Sequence, residues 1–72
     1  MKNTIRLMRK ELKFSQEELA TQCLVTRQTI NAIENDKYDP TLALAFKLAK
    51  SLHTSVDHLF QFEGDGNETK KS

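Results

Sequence analysis

Apolar residues recur at helical spacing in five stretches of the chain, with polar segments between them. Ile5, Met8 and Leu12 stand three and four apart and predict an amphipathic helix ending near Lys13, with Thr4 placed to cap it. Leu19, Ala20 and Cys23 mark the inner side of a second helix, about Gln16 to Cys23. Ile30 and Ile33 do the same for a third, from Arg27 to Glu34 or Asn35. Leu42, Ala45, Leu48, Ala49 and Leu52 form the longest stripe, with Leu44 beside it. Val56, Leu59 and Phe60 belong to a short helix opened by Ser55. Phe60-Gln61-Phe62-Glu63 alternates as a strand would, over too few residues for alternation alone to decide.

The polar residues between the stripes punctuate them. Ser15 and Glu18 form a capping box, in which the hydroxyl takes a free backbone N–H and the carboxylate reaches back. Phe14, just before, is placed as a hydrophobic staple. Thr26 is the N-cap of the third helix and Thr41, after Asp39-Pro40, that of the fourth. Between the Ser15 and Thr26 caps there is room for about two helical turns and a tight connection. Leu24 lies in that connection, where a left-handed residue would cost on the order of 1 kcal/mol relative to Gly. Asn35-Asp36-Lys37 is turn chemistry, and His53-Thr54-Ser55 breaks the fourth helix. Gly64 to Ser72 is polar and has no large apolar residue, so a domain over 1–63 and a disordered tail over 64–72 are expected.

Two short helices joined tightly, the second opening with polar groups that are awkward to bury, form the pattern of a helix-turn-helix. Its second helix offers Arg27, Gln28 and Asn31 outward, side chains able to pair with base edges in the major groove. The stretch from Ser15 to Tyr38 therefore reads as a DNA-reading unit.

Composition tempers this reading and narrows the rest. Seventy-two residues make one domain with little space for an enclosed active site beside its own core. Eleven basic and ten acidic side chains leave a net charge of +1, so no global basic field announces nucleic acid. Lys2, Arg6, Lys10 and Lys13 read as a solvated helix face. The single cysteine, Cys23, cannot form an internal disulfide and reads as a small core residue, which suits a reducing compartment. No apolar run is long enough for a signal peptide or a membrane span, so a cytoplasmic protein without membrane insertion is expected. His53 and His58, with one cysteine, do not make a metal-ligand set. There is no Gly-rich phosphate loop and no Ser, His and Asp grouping. Neither catalysis nor a metal or cofactor is expected.

Ser15-Gln16-Glu17-Glu18-Leu19-Ala20, Val25-Thr26-Arg27-Gln28-Thr29-Ile30, Ile33-Glu34-Asn35 and Lys37-Tyr38-Asp39-Pro40-Thr41-Leu42 together resemble the lambda-repressor/Cro-like (XRE) helix-turn-helix family. The resemblance covers residues 5 to 60 and is greatest to its very small, cytolysin-operon-type repressors. It implies an all-α, five-helix domain with a small two-stranded antiparallel sheet from the chain ends, pairing Lys2 and Asn3 with Phe60 to Glu63. By position, it implies base reading by Arg27, Gln28 and Asn31. Phosphate contacts fall to Gln16, Thr26, Thr29, Asn35, Lys37 and Tyr38. Arg9 and Glu34 match an ion pair that ties the first helix to the third. The surface of Asp39, Pro40, Thr41, Ser55, Val56 and Leu59 matches a two-fold contact. Leu24 departs from the pattern, standing where many members have Gly.

The function expected is sequence-specific binding of double-stranded DNA by a homodimer on a palindromic operator. Repression is favoured because the sequence shows no second domain to sense a ligand or recruit machinery. The competing expectation is an antitoxin-like or other protein-binding module with an unknown protein partner. A nucleoid protein with little sequence preference is a third.

Overall fold

In the computed structural model, residues 1–61 are described, and the expectations for Phe62, Glu63 and the 64–72 tail lie outside them. Five helices follow one another: α1 (Ile5–Glu11), α2 (Gln16–Cys23), α3 (Arg27–Glu34), α4 (Leu42–Ser51) and α5 (Val56–Leu59). Strands β1 (Lys2–Asn3) and β2 (Phe60–Gln61) pair antiparallel, Lys2 opposite Gln61 and Asn3 opposite Phe60. Thr4 N–H donates to the Leu59 carbonyl at 2.9 Å and extends this clasp to α5. The core lies between α2, α3 and α4, where Leu19, Ile30, Ile33 and Leu48 meet Ile5 from α1 and Leu59 from α5.

The helix starts follow local chemistry. The Ser15 hydroxyl accepts from Glu18 N–H at 3.0 Å while the Glu18 carboxylate accepts from Ser15 N–H at 2.8 Å, completing the capping box. Thr26 caps α3 and Thr41 caps α4, each accepting a backbone N–H at 3.2 Å. Such caps are worth about 1 kcal/mol each. Thr4 and Ser55 hold the N-cap positions of α1 and α5 but make no side-chain cap bond. Asn3 Oδ1 takes the Ile5 N–H instead, at 3.1 Å, and the Ser55 hydroxyl meets His58 Nδ1 at 2.6 Å.

The helix ends share one device. Lys13, Leu24, Asp36 and His53 all adopt left-handed backbone, with φ of 63°, 61°, 62° and 57°. After each, the next N–H reaches back five residues: Phe14 to Arg9, Val25 to Ala20, Lys37 to Ala32 and Thr54 to Ala49. These are Schellman closures made without glycine.

Two apolar residues leave the stripes assigned to them. Leu12 follows the last residue of α1 and is 38 % exposed, and the inward position one turn earlier belongs to Arg9. In α4 the buried stripe is Leu44, Ala45, Leu48, Ala49 and Leu52, while Leu42 is 70 % exposed. Leu42 and Phe46, four apart, share the adjoining face, so α4 carries two apolar faces rather than one.

Candidate nucleic-acid interface

Helix α3 is amphipathic in the simplest way: Ile30 and Ile33 go into the core, and Arg27, Gln28 and Asn31 face out. Its N-terminus is fixed by Thr26, whose hydroxyl also lies 3.1 Å from that of Thr29. Its C-terminus is fixed by Glu34. Arg9 donates to that carboxylate through Nε at 2.7 Å and Nη2 at 3.2 Å, and Gln16 donates its amide at 3.0 Å. Arg6 adds a longer contact at 3.4 Å. The Glu34 side chain has no exposure and that of Arg9 has 10 %. Burial alone would push the Glu34 carboxyl up. The hydrogen bonds from Arg9 and Gln16, the Arg9 charge and the Arg6 contact outweigh burial and hold it below the ordinary carboxylate range. Arg9 also donates Nη1 to the Phe14 carbonyl at 2.9 Å. One carboxylate thus ties α1, the start of α2 and the end of α3 together, behind the face that carries Arg27, Gln28 and Asn31.

The residues assigned to phosphates surround that face unevenly. Lys37 and Tyr38 are exposed in the turn after α3, and Thr26 is exposed at its start. Thr29 and Gln16 are half-buried, and one N–H of the Gln16 amide is committed to Glu34. Asn35 is exposed but its amide is engaged within the chain, donating Nδ2 to the Asn31 carbonyl at 2.8 Å and accepting from Arg6 Nη2 at 3.2 Å. Glu17 lies 4.0 Å from Arg27 Nε; both side chains are exposed, so this pair contributes little and can open on docking.

On the opposite edge, Asp39, Thr41 and Ser55 are exposed and Pro40 and Val56 half-buried. The chain's N-terminal ammonium bonds the Asp36 carboxylate and, at 2.8 Å, that of Asp39. Leu59 departs from expectation. It is wholly buried, turned into its own core, and has no surface to give a partner chain. Leu42 and Phe46, the latter 59 % exposed, lie on that edge instead. Two shallow grooves meet at Val56, one lined by Phe46, Ala49 and Lys50, the other by Pro40, Leu42 and Phe60. Among the described residues no group of three or more His, Cys, Asp or Glu side chains is gathered to hold a metal. No helix there is long and apolar enough to cross a membrane.

Arg6 and Phe46 are the two residues whose parts were not read from the sequence. For Phe46 the signal was its own position off the main stripe, and its pairing with Leu42 emerged only from the structure, because spacing places Leu42 on that stripe. For Arg6 there was none, because one more cation in a basic helix carries no mark of the partner it reaches.

Residues 5–59 match the family model described as Helix-turn-helix. An uncharacterised HTH-type transcriptional regulator of Methanocaldococcus jannaschii is 46 % identical over 65 residues, covering 90 % of this chain and 98 % of that one. Among solved structures, the restriction-modification controller protein C.AhdI of Aeromonas hydrophila superposes with a TM-score of 0.73 at 28 % identity. That match covers 78 % of this chain and 85 % of the controller. The N-terminal DNA-binding domain of SinR from Bacillus subtilis gives 0.72 at 27 % identity, covering 85 % and 90 %.

Proposed function

The chain belongs to the XRE-type helix-turn-helix family of DNA-binding transcription regulators, and from that footing we propose that it is a repressor binding a palindromic operator as a homodimer. The observation that carries this reading is the outward triad Arg27, Gln28 and Asn31 on a helix clamped at both ends, by Thr26 and by the buried Glu34. A clamped helix delivers side chains to base edges with little ordering left to do on binding. Arg27 and Gln28 suit guanine and adenine respectively. Thr26, Thr29, Lys37 and Tyr38 set the register on phosphates, with the second N–H of Gln16 beside them. Asn35 has its amide nitrogen engaged by Asn31 and serves that role least.

The two-fold contact is assigned to Val56 with Asp39, Pro40, Thr41 and Ser55, and the exposed Leu42 and Phe46 enlarge it. A symmetric contact at this edge sets the two α3 helices about 34 Å apart, on successive major grooves. Bound across a promoter, such a dimer excludes polymerase. The work is done in the cytoplasm, where the DNA is, and needs no cofactor or chemical step. Selection of bound sequences from a random duplex pool tests this reading, with an enriched inverted repeat expected. A pool that stays random removes it.

The exposed Leu42 and Phe46 also favour a second reading, in which this edge seats another protein as an antitoxin-like module does. Sedimentation of the isolated chain separates the two. A dimer supports the repressor, and a monomer that shifts only with a partner supports the module.

A further inference from the structure

Asn35, at the end of α3, sits between two groups whose hydrogen-bonding character chemistry fixes. The Arg6 guanidinium can only donate, and gives an Nη2 hydrogen to Asn35 Oδ1 at 3.2 Å. The Asn31 backbone carbonyl can only accept, and takes Asn35 Nδ2 at 2.8 Å. Between them the Asn35 amide has one orientation, oxygen toward α1 and nitrogen back along α3. That nitrogen also meets the Asn31 side chain, whose Oδ1 accepts at 3.3 Å. A flipped Asn31 amide would set two NH2 groups against each other. Asn31 Nδ2 is therefore the end left outward, and it donates to no group among the described residues. The Glu34 carboxylate, through Arg6 Nε at 3.4 Å, helps keep the guanidinium in place.

Resting on the reading of α3 as the base-reading helix, we infer that Arg6 and Asn35 are positioning residues that decide which base Asn31 reads. An unrestrained asparagine offers both ends of its amide and pairs bidentately with adenine, accepting from N6 and donating to N7. Asn31 held by Asn35 offers its donors first. The major-groove edge of guanine carries only acceptors, N7 and O6, so the relay favours guanine over adenine. Water on the free protein hides most of this bias. Once the duplex displaces that water, a mismatched group stays unpaired and the preference is felt.

The test is selection from a random duplex pool with the full chain as wild type, Asn31→Ala, Asn35→Ala and Asn35→Asp, each checked for helix content by circular dichroism. Asn31→Ala identifies the position concerned by losing preference there. The wild type is expected to enrich guanine at it. Asn35→Ala should shift that one position toward adenine by about five- to tenfold, the lower range for a contact of this kind. In Asn35→Asp neither oxygen can donate, so the one facing the Asn31 carbonyl is repelled, Asn31 is released, and the position moves toward adenine as it does in Asn35→Ala. A wild type that already selects adenine there, or an unchanged preference in both Asn35 variants, overturns the relay and leaves DNA reading intact. A wild type that enriches no sequence overturns both together.

Discussion

The α1–α3 half and the α4–α5 edge of this domain are held by different forces, and so they answer differently to change. In the first half, polar groups do the positioning. A capping box, a threonine cap and a shared carboxylate fix where α2 and α3 begin and end. On the α4–α5 edge, α4 keeps its Thr41 cap, and apolar contact does the rest of the holding. α5 has four residues and no side-chain cap bond, and Leu42, Phe46 and Val56 are left partly or largely uncovered. Directional bonds suit a surface that must match base edges to a fraction of an ångström. Non-directional burial suits the self-contact proposed for this edge.

The comparison breaks most severely at Glu34. Glu34→Ala leaves Arg9 buried without its partner, and the loss of one member of a buried pair costs roughly 3–5 kcal/mol. At about 4–8 °C per kcal/mol for a domain of this size, the melting temperature should fall by more than roughly 12 °C. The pair also has a pH signature. Glu34 stays ionised to lower pH in the folded chain than in the unfolded one. Its contribution is therefore complete above the ordinary glutamate pKa, about 4.3, and is lost as pH falls below that toward the folded value. Melting curves of wild type and Glu34→Gln between pH 3 and 7 should converge at the acid end, with the variant flatter. Curves that run parallel would remove the charge from the account.

Val56→Asp attacks the other region with the opposite result. It places two carboxylates face to face across the proposed two-fold axis, so the dimer should separate while the monomer keeps its core. Avidity from joining two half-sites is worth about 10²–10⁴ in affinity, and that is the loss expected on the operator. Sedimentation and operator titration read the two effects separately. A variant that remains a dimer moves the interface away from Val56.

How far each region is legible in the sequence follows the same division. The bounds of α2 and α3 could be read closely because Ser15, Glu18 and Thr26 are local signals whose partners lie three residues away. The β1–β2 pairing followed from the family resemblance, since two-residue strands carry no periodicity of their own. The burial of Leu42 could not be judged by spacing. It is three residues from Ala45 and fits the stripe as well as Leu44 does, and only the packing of α4 against α2 decides between them. Leu59 was assigned to a surface by position and is claimed by the core for the same reason. Left-handed backbone was expected at Leu24 alone, yet Lys13, Asp36 and His53 share it, because the helix ends demand that geometry whatever residue stands there.

A smaller effect sharpens the polar region itself. Gln28→Ala should cost about 1–3 kcal/mol on the operator and little on random DNA, if its amide pairs bidentately with adenine. Lys37→Ala, at a proposed phosphate contact, should weaken both DNAs alike and flatten the salt dependence by about one counterion. Titrations of both variants at several salt concentrations check this. Equal losses for Gln28→Ala on both DNAs would move it from specificity to positioning.

The smallest effect lies in the turn between α2 and α3, where the polar half carries its own strain. Leu24 holds φ 61° and ψ 39° with its side chain 80 % exposed, so removing that side chain forfeits almost no packing. Its left-handed backbone costs roughly 1–2 kcal/mol relative to the ordinary helical region. Glycine relieves this but makes the unfolded chain more flexible, returning about 0.4–1 kcal/mol of the gain. The balance for Leu24→Gly is a stabilisation of about 0.5–1 kcal/mol, a few degrees in melting temperature. Leu24→Ala separates the causes, because alanine keeps the Cβ that clashes while discarding the rest of the side chain. Alanine should leave the melting temperature almost where it was, and glycine should raise it with operator affinity unchanged. If both raise it equally, the liability is an exposed leucine rather than the backbone. If glycine lowers it, the turn is already relaxed, and the Schellman bonds from Leu24 and Val25 to Thr21 and Ala20 fully compensate its geometry.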